Sequence, residues 1–211
     1  MALLYLIRHA VTAQTGKTLY GTSPGIELSA TGRRQARDLA QLLRRVPFAA
    51  IYSSPLERCI STAQALADGR RARVETEPGL AEVDYGDWTG RSFTWLRRQA
   101  LWKRLHEVPS AIRFPGGETL AEVMARGVAA VASIAERHDR EAVAVVSHGD
   151  VIRLVLAHHA GLHLDLFRRI DVDVASVSVL ELVSGSPRLL RVNQSASLPM
   201  PEPPKRKRVR G

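Results

Sequence analysis

The chain has 211 residues, of which 45% are hydrophobic and 24% charged, and a formal net charge of +9. That length suits one sizeable core and a single domain, and no segment repeats at a period that would suggest a solenoid. The single cysteine, Cys59, excludes an internal disulfide, and no stretch reaches the roughly 20 apolar residues of a membrane-spanning helix.

Short apolar runs alternate with longer amphipathic stretches, the pattern of an α/β protein with a mostly parallel sheet between helical layers. The run LLYLI predicts a buried strand over Leu3 to Ile7; it is too short, and too soon followed by Arg8, for a signal peptide, so a cytoplasmic setting is expected. Leu39, Leu42, Leu43 and Val46 recur at helical spacing within a helix expected from Ser29 to Arg45, and Phe48 to Ser53 reads as the next strand. Ser54, Pro55 and Glu57 have the form of a capping box, which starts a helix at Ser54 with Arg58 in its first turn.

Arg73 to Glu77 is expected to form a strand, and LAEVDYGDWTG, punctuated by Gly86 and Gly90, a functional loop. One helix is expected over Ser92 to Arg104, with Trp95 and Trp102 either sharing its buried face or, where exposed, able to stack on a sugar or base, and another over Thr119 to Arg137, opened by a Thr119-x-x-Glu122 capping box. AVAVVS is a strand. Asp150 is expected to cap a helix running to about Ala160, and SVSVLELV and RLLRVNQS close the fold as an edge hairpin turned by SGSP. The domain is expected to span residues 1–197, with 198–211 as a disordered basic tail. Without Lys205, Arg206, Lys207, Arg208, Arg210 and Glu202 the remainder carries 25 basic and 20 acidic residues. Much of the charge therefore belongs to the tail, an argument against nucleic acid as partner and for a solvated extension, or one that meets an acidic partner.

Three of these strands lead into Arg8 and His9, into Arg58, and into His148. Ligands of open parallel α/β sheets bind beyond the carboxyl ends of the strands, so these side chains can converge. Two guanidiniums hold a phosphoryl dianion by bidentate hydrogen bonds, and their charge keeps a neighbouring imidazole neutral and nucleophilic. A leaving alkoxide needs a proton, for which the loop offers Glu82, Asp84 and Asp87; spacing alone does not rank them and establishes only an anion site. Other phosphate motifs fail: Val11 stands where a P-loop ending in Gly16-Lys17-Thr18 needs glycine, and Ala65 stands where a cysteine-dependent phosphatase needs arginine after Cys59. His159 and His163 flank Gly161 without a companion carboxylate, so no metal and no cofactor is expected.

The segments LLYLIRHAVT, SSPLERCISTAQAL, LAEVDYGDWTG, PGGET and VVSHGDVIRLVL, in that order, resemble the histidine phosphatase superfamily, with its phosphoglycerate mutase-like three-layer α/β/α fold. The resemblance implies that His9 is the phosphorylated nucleophile, that Arg8, Arg58 and His148 form the phosphate pocket, and that Glu82 is proton donor and acceptor. It also implies that Thr12, Thr15 and Gly21 contact substrate. Ala10 departs from the commonest motif, which has glycine there, but keeps the residue small. Cofactor-dependent mutases of this family carry a longer lid with a Glu-Arg-His-Tyr-Gly stretch after the acid loop, where this chain has only Trp88 to Gly116. A shorter lid admits water to the phosphohistidine. The wording of the acid loop resembles broad-specificity and α-ribazole phosphatases. The expectation is a phosphomonoesterase acting on a small phosphorylated metabolite. A phosphomutase and a non-catalytic phospho-ligand-binding module are the alternatives, and a homodimer is an open expectation.

Overall fold

A computed structural model describes residues 1–183 and 186–194. Its elements, in chain order, are β1 (Ala2–Arg8), β2 (Thr18–Leu19), α1 (Ala30–Leu42), β3 (Phe48–Ser53), α2 (Glu57–Ala67), β4 (Val74–Thr76), β5 (Arg91–Ser92), α3 (Phe93–Leu96), α4 (Ala100–Glu107), α5 (Leu120–Arg137), β6 (Ala142–Ser147), α6 (Gly149–His159), β7 (Val177–Leu182) and β8 (Arg188–Gln194). Short 3-10 turns cover Pro78–Leu80, Gly86–Trp88, Pro109–Ala111 and Leu164–Arg169.

Six strands form one sheet in the order β4-β3-β6-β1-β7-β8. The first four run parallel, while β7 pairs antiparallel with β1 and β8 antiparallel with β7. Strand alternation sorts the core into two faces. Leu3, Tyr5 and Ile7 of β1 join Leu39 of α1 and Cys59, Ala63 and Leu66 of α2. Leu4 and Leu6 face the other way, onto Val131 and Ile134 of α5 and Ile152, Val155 and Leu156 of α6. The result is the expected α/β/α sandwich. A third apolar cluster, with Val83, Tyr85, Trp88, Leu105, Phe114 and Phe167, packs the long loops against α5 and α6.

Several expectations are met closely. Thr119 and Glu122 form the reciprocal capping box of α5, and β7 and β8 form the edge hairpin, although Ser184 and Gly185 of its turn lie outside the described residues, as does the segment 195–211 on which the end of the domain and the tail were read. Others need correction. Helix α2 begins at Glu57 with Leu56 as its N-cap and no side-chain cap; the Ser54 hydroxyl instead bonds the His148 ring, and Glu57 accepts from the Gly25 amide. Helix α6 likewise has His148 at its N-cap without a side-chain cap, because Asp150 is engaged by Tyr85 and Arg153. The helix expected over 92–104 is two helices, α3 and α4, and Trp95 is 39% exposed with Arg91 over its ring, while Trp102 packs on Trp88 and Phe93. A break after Leu96 turns the two indoles apart, and helical spacing no longer relates them.

The N-terminus of α1 docks on the chain just past β1. Ser29 caps the helix by accepting from the Gly32 amide, and its own amide and hydroxyl donate to the Val11 carbonyl. A Cβ at Gly32 would stand 2.0 Å from that carbonyl oxygen. Gly32→Ala is therefore expected to lower stability by about 1–3 kcal/mol through overpacking, measured as a reduced midpoint in urea denaturation at unchanged slope.

Candidate functional site

Register brings the expected residues together. Beyond the paired strand ends, the His9 amide donates to the Ser147 carbonyl at 3.0 Å and the Ser54 amide to the Val146 carbonyl at 2.9 Å. Strands β3, β6 and β1 are immediate neighbours, so their carboxyl ends deliver Arg58, His148 and His9 to one place. His9 is 1% exposed, and Arg58 and His148 are fully buried. The two imidazoles meet edge to face, with ring centroids 5.2 Å apart.

Hydrogen bonds fix how each ring points. His9 Nδ1 lies 2.8 Å from the Ala10 carbonyl; since a carbonyl only accepts, Nδ1 carries the proton and Nε2 keeps its lone pair. Burial first, and the Arg58 and Arg8 charges with it, push the His9 pKa down to about 3, against the opposing effect of the Ala10 bond. His148 Nε2 is 2.8 Å from the Ser54 hydroxyl, and Nδ1 lies 3.7 Å from Glu82 Oε2. A hydroxyl that donates to Nε2 leaves the proton on Nδ1, facing Glu82. Burial, followed by the charge of Arg58, holds His148 well below the usual histidine range.

The guanidiniums are held by part of their donor sets. Arg58 Nη2 donates to the Gly21 carbonyl at 2.7 Å and its group lies over the Tyr20 ring; Arg8 Nη1 donates to the Val172 carbonyl at 2.7 Å. Arg58 Nε and Nη1 and Arg8 Nε are buried with no partner among the described residues. Donors of this kind are costly to leave unpaired, and an anion satisfies them. Gly149 lets Arg8 lie flat against the start of α6: a Cβ there would be 3.2 Å from the guanidinium carbon.

Glu82 sits on the acid loop, which is clamped from behind. Arg126 of α5 donates to the carbonyls of Gly79, Ala81 and Glu82 and pairs with Glu118 at 2.8 Å; Glu118 in turn accepts from the Asp84 amide. Glu82 Oε1 accepts from the Val83 amide. Burial, and then the nearby Asp150 carboxylate, raise the Glu82 pKa to about 7. Asp150 itself stays ionised: burial would raise it, but Arg153 and Arg168 hold it below the usual range.

A cavity of about 500 Å³ opens over this floor. Arg8, Thr15, Gly21 and Glu82 line it, as do Tyr85, Trp102, Asp150, Arg153 and Arg168. His9, Arg58 and His148 lie buried behind that lining. Thr12 is buried too, its hydroxyl 3.0 Å from that of Thr15, and Gly21 bears on the site through its carbonyl on Arg58. Ser54 and Arg126 are participants that sequence reasoning missed. Ser54 matched a local helix signal, and the carbonyl partners of Arg126 are 44 to 47 residues away along the chain. Among the described residues no cluster of three or more metal-ligating side chains occurs, and no helix is long and apolar enough to cross a membrane.

A sequence model of the histidine phosphatase superfamily (branch 1) matches residues 4–195. The chain belongs to this superfamily. It is 32% identical over 200 residues to phosphoserine phosphatase 1 of Hydrogenobacter thermophilus, covering 94% of this chain and 95% of that protein. It is 28% identical to the adenosylcobalamin/alpha-ribazole phosphatase of Escherichia coli, covering 85% and 89%. The solved structure of Bacillus stearothermophilus YhfR superposes with a TM-score of 0.85 at 28% identity, over 90% of this chain and 96% of that one.

The clamp on the acid loop of this histidine phosphatase has a measurable value. Arg126→Met leaves three loop carbonyls and Glu118 without their donor. It is expected to cost roughly 2–3 kcal/mol of stability, seen in denaturant unfolding, together with a lower kcat as Glu82 loses its fixed position.

Proposed function

We propose that this protein is a metal-independent phosphomonoesterase that acts through a phosphohistidine on His9, with a small phosphorylated metabolite as substrate. The observation that carries the reading is the meeting of unpartnered Arg8 and Arg58 donors with a neutral His9 whose Nε2 is unprotonated. The names of its relatives, phosphatases for phosphoserine and for alpha-ribazole, support the same reaction class.

In this reading the phosphoryl group is bound by Arg8 and Arg58, whose charges stabilise its developing transition state. His9 Nε2 attacks phosphorus as the ester P–O bond breaks, and Glu82, protonated below about pH 7, gives its proton to the departing alkoxide. His148 donates from Nδ1 to a non-bridging oxygen, the tautomer that the Ser54 hydroxyl favours. Glu82, now a carboxylate, then takes a proton from water as that water attacks the phosphohistidine, which releases phosphate and restores both groups. The cavity of about 500 Å³ over the site has space for water; a phosphomutase would have to exclude it.

Hydrolysis of para-nitrophenyl phosphate with chelator present, by wild type and His9→Ala, tests the nucleophile. Activity is expected to survive chelation and to vanish in the variant; loss on chelation overturns the mechanism. Phosphohistidine trapped by rapid denaturation at alkaline pH, where its P–N bond survives, separates the enzyme from a module that only binds phosphate. With an alkyl phosphate, whose leaving group needs a proton, kcat/KM is expected to fall as pH rises through about 7, where Glu82 of the free enzyme ionises. The acid side is expected to stay flat with respect to His9 down to about pH 3. Glu82→Gln is expected to lower kcat by about 10²- to 10⁴-fold and to remove the descending limb.

A further inference from the structure

Four arginines line the cavity: Arg8, Arg97, Arg153 and Arg168. Arg8 belongs to the phosphate. Arg153 is spent within the protein, donating to Asp150 at 2.9 Å and to the Ile170 carbonyl at 3.0 Å. Arg97 is exposed at the rim, with no side-chain hydrogen bond or ion pair among the described residues. Arg168 differs from all three. Its Nη1 donates to His106 Nε2 at 2.7 Å, and the His106 ring is itself fixed by Nδ1 donating to the Trp102 carbonyl at 2.8 Å. Among the described residues its buried Nε has no partner and the side chain forms no ion pair.

That arrangement leaves a defined edge. Of the two sides of a guanidinium that can grip a planar anion, the one formed by Nε and Nη2 is free, while Nη1 anchors the group to α4. A carboxylate is the anion whose two oxygens match two parallel N–H groups. The side chain is preorganised for it, because His106 and Trp102 hold the fork before anything binds. Asp150 feels the Arg168 charge but takes no hydrogen bond from it; its two oxygens accept from Arg153 and from the Tyr85 hydroxyl.

We propose that Arg168 is a specificity-determining residue that binds a carboxylate on the substrate. The preferred substrates are then small phosphomonoesters that carry a carboxylate on the same carbon chain. This rests on the phosphatase reading above and adds to it the chemical class of the alcohol.

Matched pairs that differ in the carboxylate test it: 3-phosphoglycerate against glycerol 3-phosphate, and O-phosphoserine against O-phosphoethanolamine. In wild type, kcat/KM is expected to favour the carboxylated member of each pair by about 10- to 100-fold. Arg168→Gln is expected to bring that ratio close to one, and Arg168→Lys, which keeps the charge but loses the fork, to recover only a small part of it. A wild type without the preference, or a ratio unchanged in Arg168→Gln, overturns the proposal. The same ratios read as dissociation constants by calorimetry on His9→Ala protein decide the role of Arg168 even where turnover is absent. Failure of the phosphatase reading is separate, and shows as absent turnover of every phosphate ester.

Discussion

Arg58 is a permanently charged side chain with no access to solvent, and much of the site follows from that fact. Burying a guanidinium is expensive unless donors and charge are compensated. Among the described residues its guanidinium is met by the Gly21 carbonyl and the face of Tyr20. The charge that remains acts on the neighbours. Two imidazoles beside it stay neutral, and the Arg58 charge also opposes the burial that lifts the pKa of Glu82. Such a site costs stability locally, and the two packed faces of the sheet must offset it. This is the usual position of a binding constellation within an otherwise consistent fold.

The architecture divides the labour of recognition. The phosphate end is built at the carboxyl ends of three adjacent strands, where backbone register fixes His9, Arg58 and His148. The remainder of the cavity is built by loops and short helices whose own apolar cluster, around Tyr85, Trp88, Phe114 and Phe167, is separate from the sheet core. A catalytic floor of this kind can be kept while the walls change, which is how one fold serves many substrates.

Legibility in the sequence followed the same division. The strands were readable because β1 and β6 are continuous apolar runs, and α5 because Thr119 and Glu122 carry a complete capping box. Arg8, His9, Arg58 and His148 were readable because each closes a strand, directly follows one or lies in the first turn of the helix beyond it. The errors arose where a tertiary partner outbid a local one. Ser54 has the spacing of a helix cap, but His148 takes its hydroxyl; Asp150 has the position of a cap, but Tyr85 and Arg153 take its carboxylate. Arg126 carries no local signal, because its carbonyl partners reach it only once the acid loop has folded back onto α5. Spacing also failed across Leu96, where a helix break separates Trp95 from Trp102.

The two outer strands of the sheet bear on how this chain can meet a copy of itself. One edge, β4, is only three residues long and carries the exposed Glu75. The other, β8, presents exposed Arg188 and Arg191 and pairs with β7 through two register irregularities. Shortness, charge and bulging are the features by which natural sheets refuse another strand. Fibre-like growth by edge addition is thereby disfavoured at both described edges of this sheet.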